Sequence, residues 1–239
     1  MSASLGMWEE LDAKEEEQSE EATASRAAQP TVANQFADEQ ILGLIQGLFL
    51  AGPRMTRQVV FSGVGGDAGS GRVCMRIAEA LASQTMSRVC LVETERGTRS
   101  TEEEEFGGSR TDGGVTPEPA GTLRASPLQL RRNLWFVPGE VWRSEASVAT
   151  LPWMRRRLGE LRGDFDYAVI HAPPAGSHGG AEMLGALTDG LVLVLEAHRT
   201  RRVLARVIQQ KLQAAHVPVL GAVLSGRTFP IPERLYRRV

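Results

Sequence analysis

The sequence predicts an α/β protein: a doubly wound, mainly parallel sheet in three layers, with helices on both faces. Two observations predict it. Strand-like apolar runs alternate with helical patterns from Gln58 to Leu224, the order that builds parallel sheets through crossover helices. The first run, Val59-Val60-Phe61, passes through a glycine-rich turn directly into a helix, where Cys74, Ile77, Ala78 and Leu81 fall at i, i+3, i+4 and i+7.

The elements follow in order. Residues 1–34 are rich in Glu, Ala, Ser and Gln, with acidic blocks at Glu15-Glu16-Glu17 and Glu20-Glu21. Such a segment buries too little apolar surface to repay its own ordering, so it reads as a disordered acidic tail. Its alternative use is docking to a basic partner. Residues 35–239 then form one domain. Asp38 to Leu50 places Ile41, Leu44, Ile45, Leu48 and Phe49 on one helical face, and Gly52-Pro53 ends the pattern. Packing of that face on its own domain is the simplest reading, and self-association into a homo-oligomer is the alternative.

Strands are predicted at 58–64, 88–94, 133–138, 166–172, 190–196 and 217–224. The first, apolar throughout, suits a strand covered on both faces. Helices are predicted from the glycine loop to residue 84, at 151–163 with Arg155 to Arg157 outward, and at 200–215 with Val203, Leu204, Val207, Ile208 and Leu212 inward. Residues 97–132 read as an irregular surface insertion. Its Glu102 to Glu105 run repels itself and reads as solvated loop, so no metal site is predicted.

The totals bound the function. A chain of 239 residues with 42% apolar content can build a sizeable core. A net charge of −2 gives no general attraction to nucleic acid. Only Lys14 and Lys211 are lysines, and neither lies in a glycine loop. The two cysteines, Cys74 and Cys90, fall in a predicted helix and a predicted strand. They read as small buried residues of a reducing compartment. No signal-peptide pattern is visible, and the apolar stretch Ile41 to Gly52 is too short to span a bilayer. A cytoplasmic protein without direct membrane insertion is expected.

The glycine turn carries the chemistry. The pattern that cradles nucleotide phosphates is G-x-x-x-x-G-K-[ST], set between a strand and a helix so that backbone N–H groups face the anion. Gly66 and Gly71 hold the two glycine positions, with Asp67, Ala68, Gly69 and Ser70 between them. Arg72 stands at the lysine position and Val73 at the Ser/Thr position. Arginine keeps the charge in a planar fork, while valine has no oxygen for a cation. Glu93 and Glu95, at i and i+2, end the second strand on one side, where open α/β sheets place ligands. Arg96, Arg199, Arg201 and Arg202 sit at strand ends or helix starts within reach of an anion.

With these motifs in this order, the chain resembles the cytoplasmic tyrosine kinases of bacterial capsule and exopolysaccharide systems. That is a family of P-loop NTPases related to the division-site and chromosome-partition ATPases. The resemblance runs from about Asp38 to the C-terminus. Val59 to Val73 is similar to the Walker A strand and loop. Val89 to Arg96 resembles the strand that usually ends Asp-x-Asp-x-Arg, and Asn133 to Pro138 the Asn-Leu-x-x-x-Pro strand. Phe165 to Pro174 resembles the Walker B strand, with His171 at its aspartate. Thr188 to Leu191 and Val219 to Leu224 resemble the last two strands.

The resemblance implies a P-loop NTPase fold, ATP or ADP as ligand and protein-tyrosine kinase activity. It also implies a membrane polysaccharide co-polymerase or export protein as partner, which would recruit the chain to the inner face of the membrane. The departures fall on the chemistry: Arg72, Val73, His171, and Glu93 with Glu95 in place of two aspartates. Magnesium prefers oxygen ligands, so Val73 and His171 suit it poorly, while Glu93 and Glu95 can still bind a cation with a longer reach. The family's tyrosine-rich C-terminal tail has no counterpart, since Tyr167 and Tyr236 are the only tyrosines. The expected function is therefore a degenerate P-loop protein acting as a regulator or scaffold of polysaccharide biosynthesis, with weak or no kinase activity. The alternatives are an active kinase or ATPase using Arg72 and Glu93, with Glu95 assisting, and a positioning ATPase of the partition type.

Overall fold

The computed structural model describes residues 32–51, 56–66, 68–94, 127–139, 151–177 and 179–226. The chain divides into two units, Ile41–Thr228 and Met1–Gln40 with Phe229–Val239. Of the latter only residues 32–40 are described, as the first part of helix α1, Val32–Ile45. That helix begins inside the stretch read as tail. It passes into a π-helical turn, Gln46–Leu50, whose end is held by the Thr56 hydroxyl donating to the Leu48 carbonyl.

Ile41–Thr228 holds a single sheet. The described strands are β1 Gln58–Val64, β2 Val89–Glu93, β3 Leu128–Arg131, β4 Leu134–Val137, β5 Tyr167–Ala175, β6 Gly190–Glu196 and β7 Val219–Ser225. Their order across the sheet is β3-β4-β2-β5-β1-β6-β7. All pairings are parallel except β3 with β4. The helices are α2 Ser70–Gln84, α3 Leu151–Asp164, α4 Gly180–Leu187 and α5 Arg202–Ala214. The doubly wound prediction therefore stands, and β1 is buried along its whole length.

Two apolar layers flank the sheet. On one face Ile45 and Phe49 join Cys74, Ile77, Ala78 and Leu81 of α2 against Val59, Phe61, Val89 and Leu91. Phe49 meets Tyr167 edge-on, with ring centroids 5.8 Å apart. The predicted helix face at 41–49 thus packs on its own domain. On the other face Met154, Leu158 and Leu161 of α3, Ala181 and Leu184 of α4, and Ile208 and Leu212 of α5 cover Val60, Ile170 and Leu191.

Four sequence readings are corrected. The stretch 97–132 is not irregular to its end: β3 pairs antiparallel with β4 through Leu128↔Phe136 and Arg131↔Leu134. Its side chains are all exposed, so no alternation marked it. Helix α4 was not foreseen; its eight residues, Gly-Ala-Glu-Met-Leu-Gly-Ala-Leu, are too short and glycine-broken to show a period. Strand β5 runs past Ala172 through Pro173 and Pro174. It can do so because its pairing with β2 stops at Glu93↔His171, beyond which β2 needs no N–H donor. The buried Ser62 hydroxyl donates to the Pro173 carbonyl at 2.6 Å. In α5 only Ile208 and Leu212 face inward fully; Val203 is 73% exposed, and Leu204 and Val207 are also exposed. The helix lies near the β7 edge, where the covering layer ends.

Asp189 fastens the bottom of the sheet. Its carboxylate accepts the backbone N–H groups of Arg57 and Gln58 at 2.7 and 2.8 Å and the Arg162 guanidinium at 2.8 Å. Burial pushes its pKa up, but these bonds outweigh burial and hold the carboxyl below the usual range. A depressed folded-state pKa stabilises above the unfolded value and loses that contribution as pH falls through the folded one. Asp189→Ala should therefore cost about 1–3 kcal/mol at pH 7. In urea unfolding, the gap between variant and wild type should begin to narrow as pH falls below about 4, the unfolded aspartate range, and close further as it passes the lower folded value.

Candidate functional site

The glycine loop sits at the carboxyl ends of β1, β5 and β6, the place where open α/β sheets bind ligands. Its backbone needs residues free of steric limits: Gly65, Gly66 and Gly69 have φ of 80°, 147° and 66°. Ala68 takes φ of 53° in the same turn, an uncommon conformation for a residue with a Cβ. The Ser225 hydroxyl at the end of β7 holds it there by donating to the Ala68 carbonyl at 2.7 Å. Gly69 caps α2, whose first turn presents Ser70, Gly71, Arg72 and Val73. Arg72 is exposed. Val73 is partly buried and packs with the apolar layer beneath α2. Asp67 lies outside the described residues.

Beneath the loop three side chains join into one hydrogen-bonded chain. Register pairs Glu93 of β2 with His171 of β5, so both project side by side toward α2. His171 Nδ1 lies 2.7 Å from Glu93 Oε2, and its Nε2 lies 2.8 Å from Ser70 Oγ. A carboxylate only accepts, so Nδ1 carries the proton and the ring meets the Ser70 hydroxyl through Nε2. Ser70 is buried at 1% exposure, and the His171 side chain is 12% exposed. Thr94 closes the strand end, donating both its N–H and its hydroxyl to the His171 carbonyl at 3.2 and 2.7 Å. Gly71 lies against the imidazole: a Cβ there would stand 3.6 Å from His171 Cε1.

Glu93, His171 and the residues of the loop are thus brought together, while Glu95 and Arg96 fall outside the described residues. The part of Ser70 in this chain was missed in the sequence. It depends on how the loop after β1 meets β5, which joins residues 101 positions apart. Among the described residues no cluster of three or more His, Cys, Asp or Glu side chains could hold a metal ion. Cys74 and Cys90 are both buried, and burial pushes the Cys90 thiol up, away from reactivity.

On its other side the loop borders a cavity of about 690 Å³. Val64, Gly65, Gly66, Ala68 and Gly69 form one wall, and the β6–α5 corner forms the other with Glu196, Arg199, Thr200, Arg201 and Leu204.

Comparison with known proteins places this geometry. No protein-family model matches the sequence. The tyrosine-protein kinase YwqD of Bacillus subtilis is 26% identical over 89 residues, 37% of this chain and 38% of that protein. The tyrosine-protein kinase CpsD of Streptococcus agalactiae is 23% identical over 107 residues, 45% of this chain and 39% of that protein. The chain spans less than two fifths of the length of either relative. Among solved structures, the VpsO kinase domain superposes with a TM-score of 0.61 at 18% identity, covering 82% of this chain and 99% of that one. The MinD cell division protein of Aquifex aeolicus gives a TM-score of 0.51 at 15% identity, covering 76% of this chain and 72% of that one. Over those stretches the chain is similar in sequence to these two bacterial tyrosine kinases. It has the P-loop NTPase fold seen in the VpsO kinase domain, in MinD and in a ParA family ATPase.

Replacing His171 by Ala removes one hydrogen bond each from Glu93 and Ser70 in a part-buried setting. The variant should lose about 1–3 kcal/mol in urea unfolding. Stability equal to wild type would mean that the imidazole does not hold the strand end to the loop.

Proposed function

We propose that this chain is a nucleotide-binding regulator or scaffold of a polysaccharide kinase system, with weak or no phosphoryl transfer of its own. The observation that carries this reading is His171 bridged between Glu93 and Ser70. In P-loop enzymes the loop Ser/Thr and an acidic strand-end residue hold the magnesium that neutralises the transferring phosphate. Here the first position is Val73, turned toward the apolar layer, and the second is an imidazole with both nitrogens already engaged. Magnesium prefers oxygen in octahedral array, and these residues do not offer it. The residues do fit a bare phosphate chain. The glycine turn leads from β1 directly into the N-terminus of α2, the arrangement that offers backbone N–H groups to an anion, and Arg72 adds one fixed positive charge.

A protein of this kind acts through a partner. The family resemblance supports a membrane polysaccharide co-polymerase or export protein as that partner, a contact that would recruit this chain to the inner face of the membrane. No helix among the described residues is long and apolar enough to cross a membrane. The tail of residues 1–34, the insertion at 97–132 and self-association through 38–50 are further candidates for partner contact. The competing reading, an active kinase with Glu93 as base, is opposed by the same bridge, because Glu93 Oε2 is already committed to His171.

Calorimetric titration tests the reading. ATP and ADP should each keep in EDTA the affinity they have in magnesium, Arg72→Ala should weaken both about tenfold, and Gly71→Asp should abolish both. The triple variant Arg72→Lys/Val73→Thr/His171→Asp, which restores the P-loop residue types, should make binding magnesium-dependent. Magnesium-dependent binding with ATP turnover in the wild type would overturn the proposal.

A further inference from the structure

The cavity beside the glycine loop holds charge that the loop sequence does not account for. Its far wall is the corner between β6 and α5, built as a tight turn. The Glu196 N–H donates to Thr200 Oγ1 at 2.8 Å, and the Thr200 N–H donates to the Glu196 carbonyl at 2.9 Å. His198 takes φ of 64° within it. The Thr200 hydroxyl also reaches the Val64 carbonyl at 3.4 Å, fixing the corner to the end of β1 just before the loop. Leu204 completes the anchor: a Cβ on Gly65 would stand 3.0 Å from its Cδ2, so helix and loop are in close contact there. Arg199 and Arg201 flank the anchored Thr200, and both line the cavity. Arg199 is 79% exposed and pairs with Glu196 at 3.3 Å. Helix α5 adds no carboxylate anywhere along Arg202–Ala214. Among the described residues the cavity therefore has the glycine loop on one side and, on the other, a corner that carries Arg199, Arg201 and Glu196.

We propose that Arg199 and Arg201 form a cation clamp for the terminal phosphate of a nucleoside triphosphate. This inference rests on the nucleotide-binding reading above and deepens it, since it assigns the ligand as a triphosphate and its recognition to the β6–α5 corner. The chemistry is that of arginine toward phosphate: a planar fork with several donors, charged at every working pH and indifferent to cation supply. Placement on a corner locked by Thr200 limits the side-chain freedom lost on binding. Glu196 completes the device. Its pairing with Arg199 holds that guanidinium at the cavity rim until a stronger anion displaces the carboxylate. A diphosphate seated in the loop lacks the group that would reach the clamp, so the clamp discriminates ATP from ADP.

The test is calorimetric titration of the full chain in EDTA with ATP, ADP and sodium tripolyphosphate. It compares wild type, Arg199→Ala/Arg201→Ala, and Arg206→Ala as a control for net charge on the adjoining helix α5. The double variant should bind ATP and tripolyphosphate about tenfold more weakly and ADP within about twofold of wild type, with Arg206→Ala unchanged. Equal ATP affinity in the double variant and wild type would overturn the clamp and leave the nucleotide-binding reading intact. Equal weakening of all three ligands would also overturn it, because charge alone would then explain the effect. Binding of tripolyphosphate but of neither nucleotide, lost in the double variant, would support the clamp and sink the nucleotide reading. Binding of none of the three would overturn both.

Discussion

The imidazole of His171, held between Glu93 and Ser70, ties β2, β5 and the start of α2 together at one point. Everything specific to this site depends on it. The contact requires the β2–β5 register that sets Glu93 beside His171, and a one-residue slip would send every side chain of either strand to the opposite face. It also requires the left-handed turn at Ala68 and Gly69 that delivers Ser70 to the ring. Its consequence is chemical. A position that in P-loop enzymes of this fold serves a cation is filled by a group that donates through one nitrogen and meets a buried hydroxyl through the other.

The remainder of the site can be understood as a set of fastenings around a flexible loop. Ser225 of β7 takes the Ala68 carbonyl, Thr200 of the β6–α5 corner approaches the Val64 carbonyl, and Leu204 closes on Gly65. Glycine supplies the backbone freedom that lets a loop approach phosphate closely, and the same freedom costs order. Side chains from β5, β7 and α5 restore that order. Further from the ligand face, Asp189 does similar work at the opposite end of the strands, gathering two backbone N–H groups and one guanidinium. Both ends of β1 are therefore pinned by polar contacts, while its middle is held by apolar packing on both faces.

Much of this was legible in the sequence because it is local. The run from Gln58 through Val64 and the period of Cys74, Ile77, Ala78 and Leu81 mark β1 and α2 with almost their observed bounds. Gly190 to Glu196 marks β6 without error. What escaped was either short or long-range. Strand β3 has no buried face to alternate, and α4 is two turns with glycines at Gly180 and Gly185. The apolar stripe of α5 is wider than the surface available to cover it, so Val203 and Val207 were placed inside and stand outside. Arg72, Val73 and His171 could be read as departures from a pattern. That His171 is joined to Ser70 could not, because no spacing in the sequence encodes the register of two parallel strands.

The most direct measurement is the nitrogen-15 spectrum of the His171 ring in histidine-labelled protein, recorded with and without magnesium and ATP. A proton fixed on Nδ1, an Nε2 resonance typical of a hydrogen-bond acceptor, and no response of either nitrogen to magnesium are predicted. A ring with rapidly exchanging tautomers, or an Nε2 resonance displaced by magnesium, would contradict the claim that the imidazole is committed to Glu93 and Ser70 in place of a metal site.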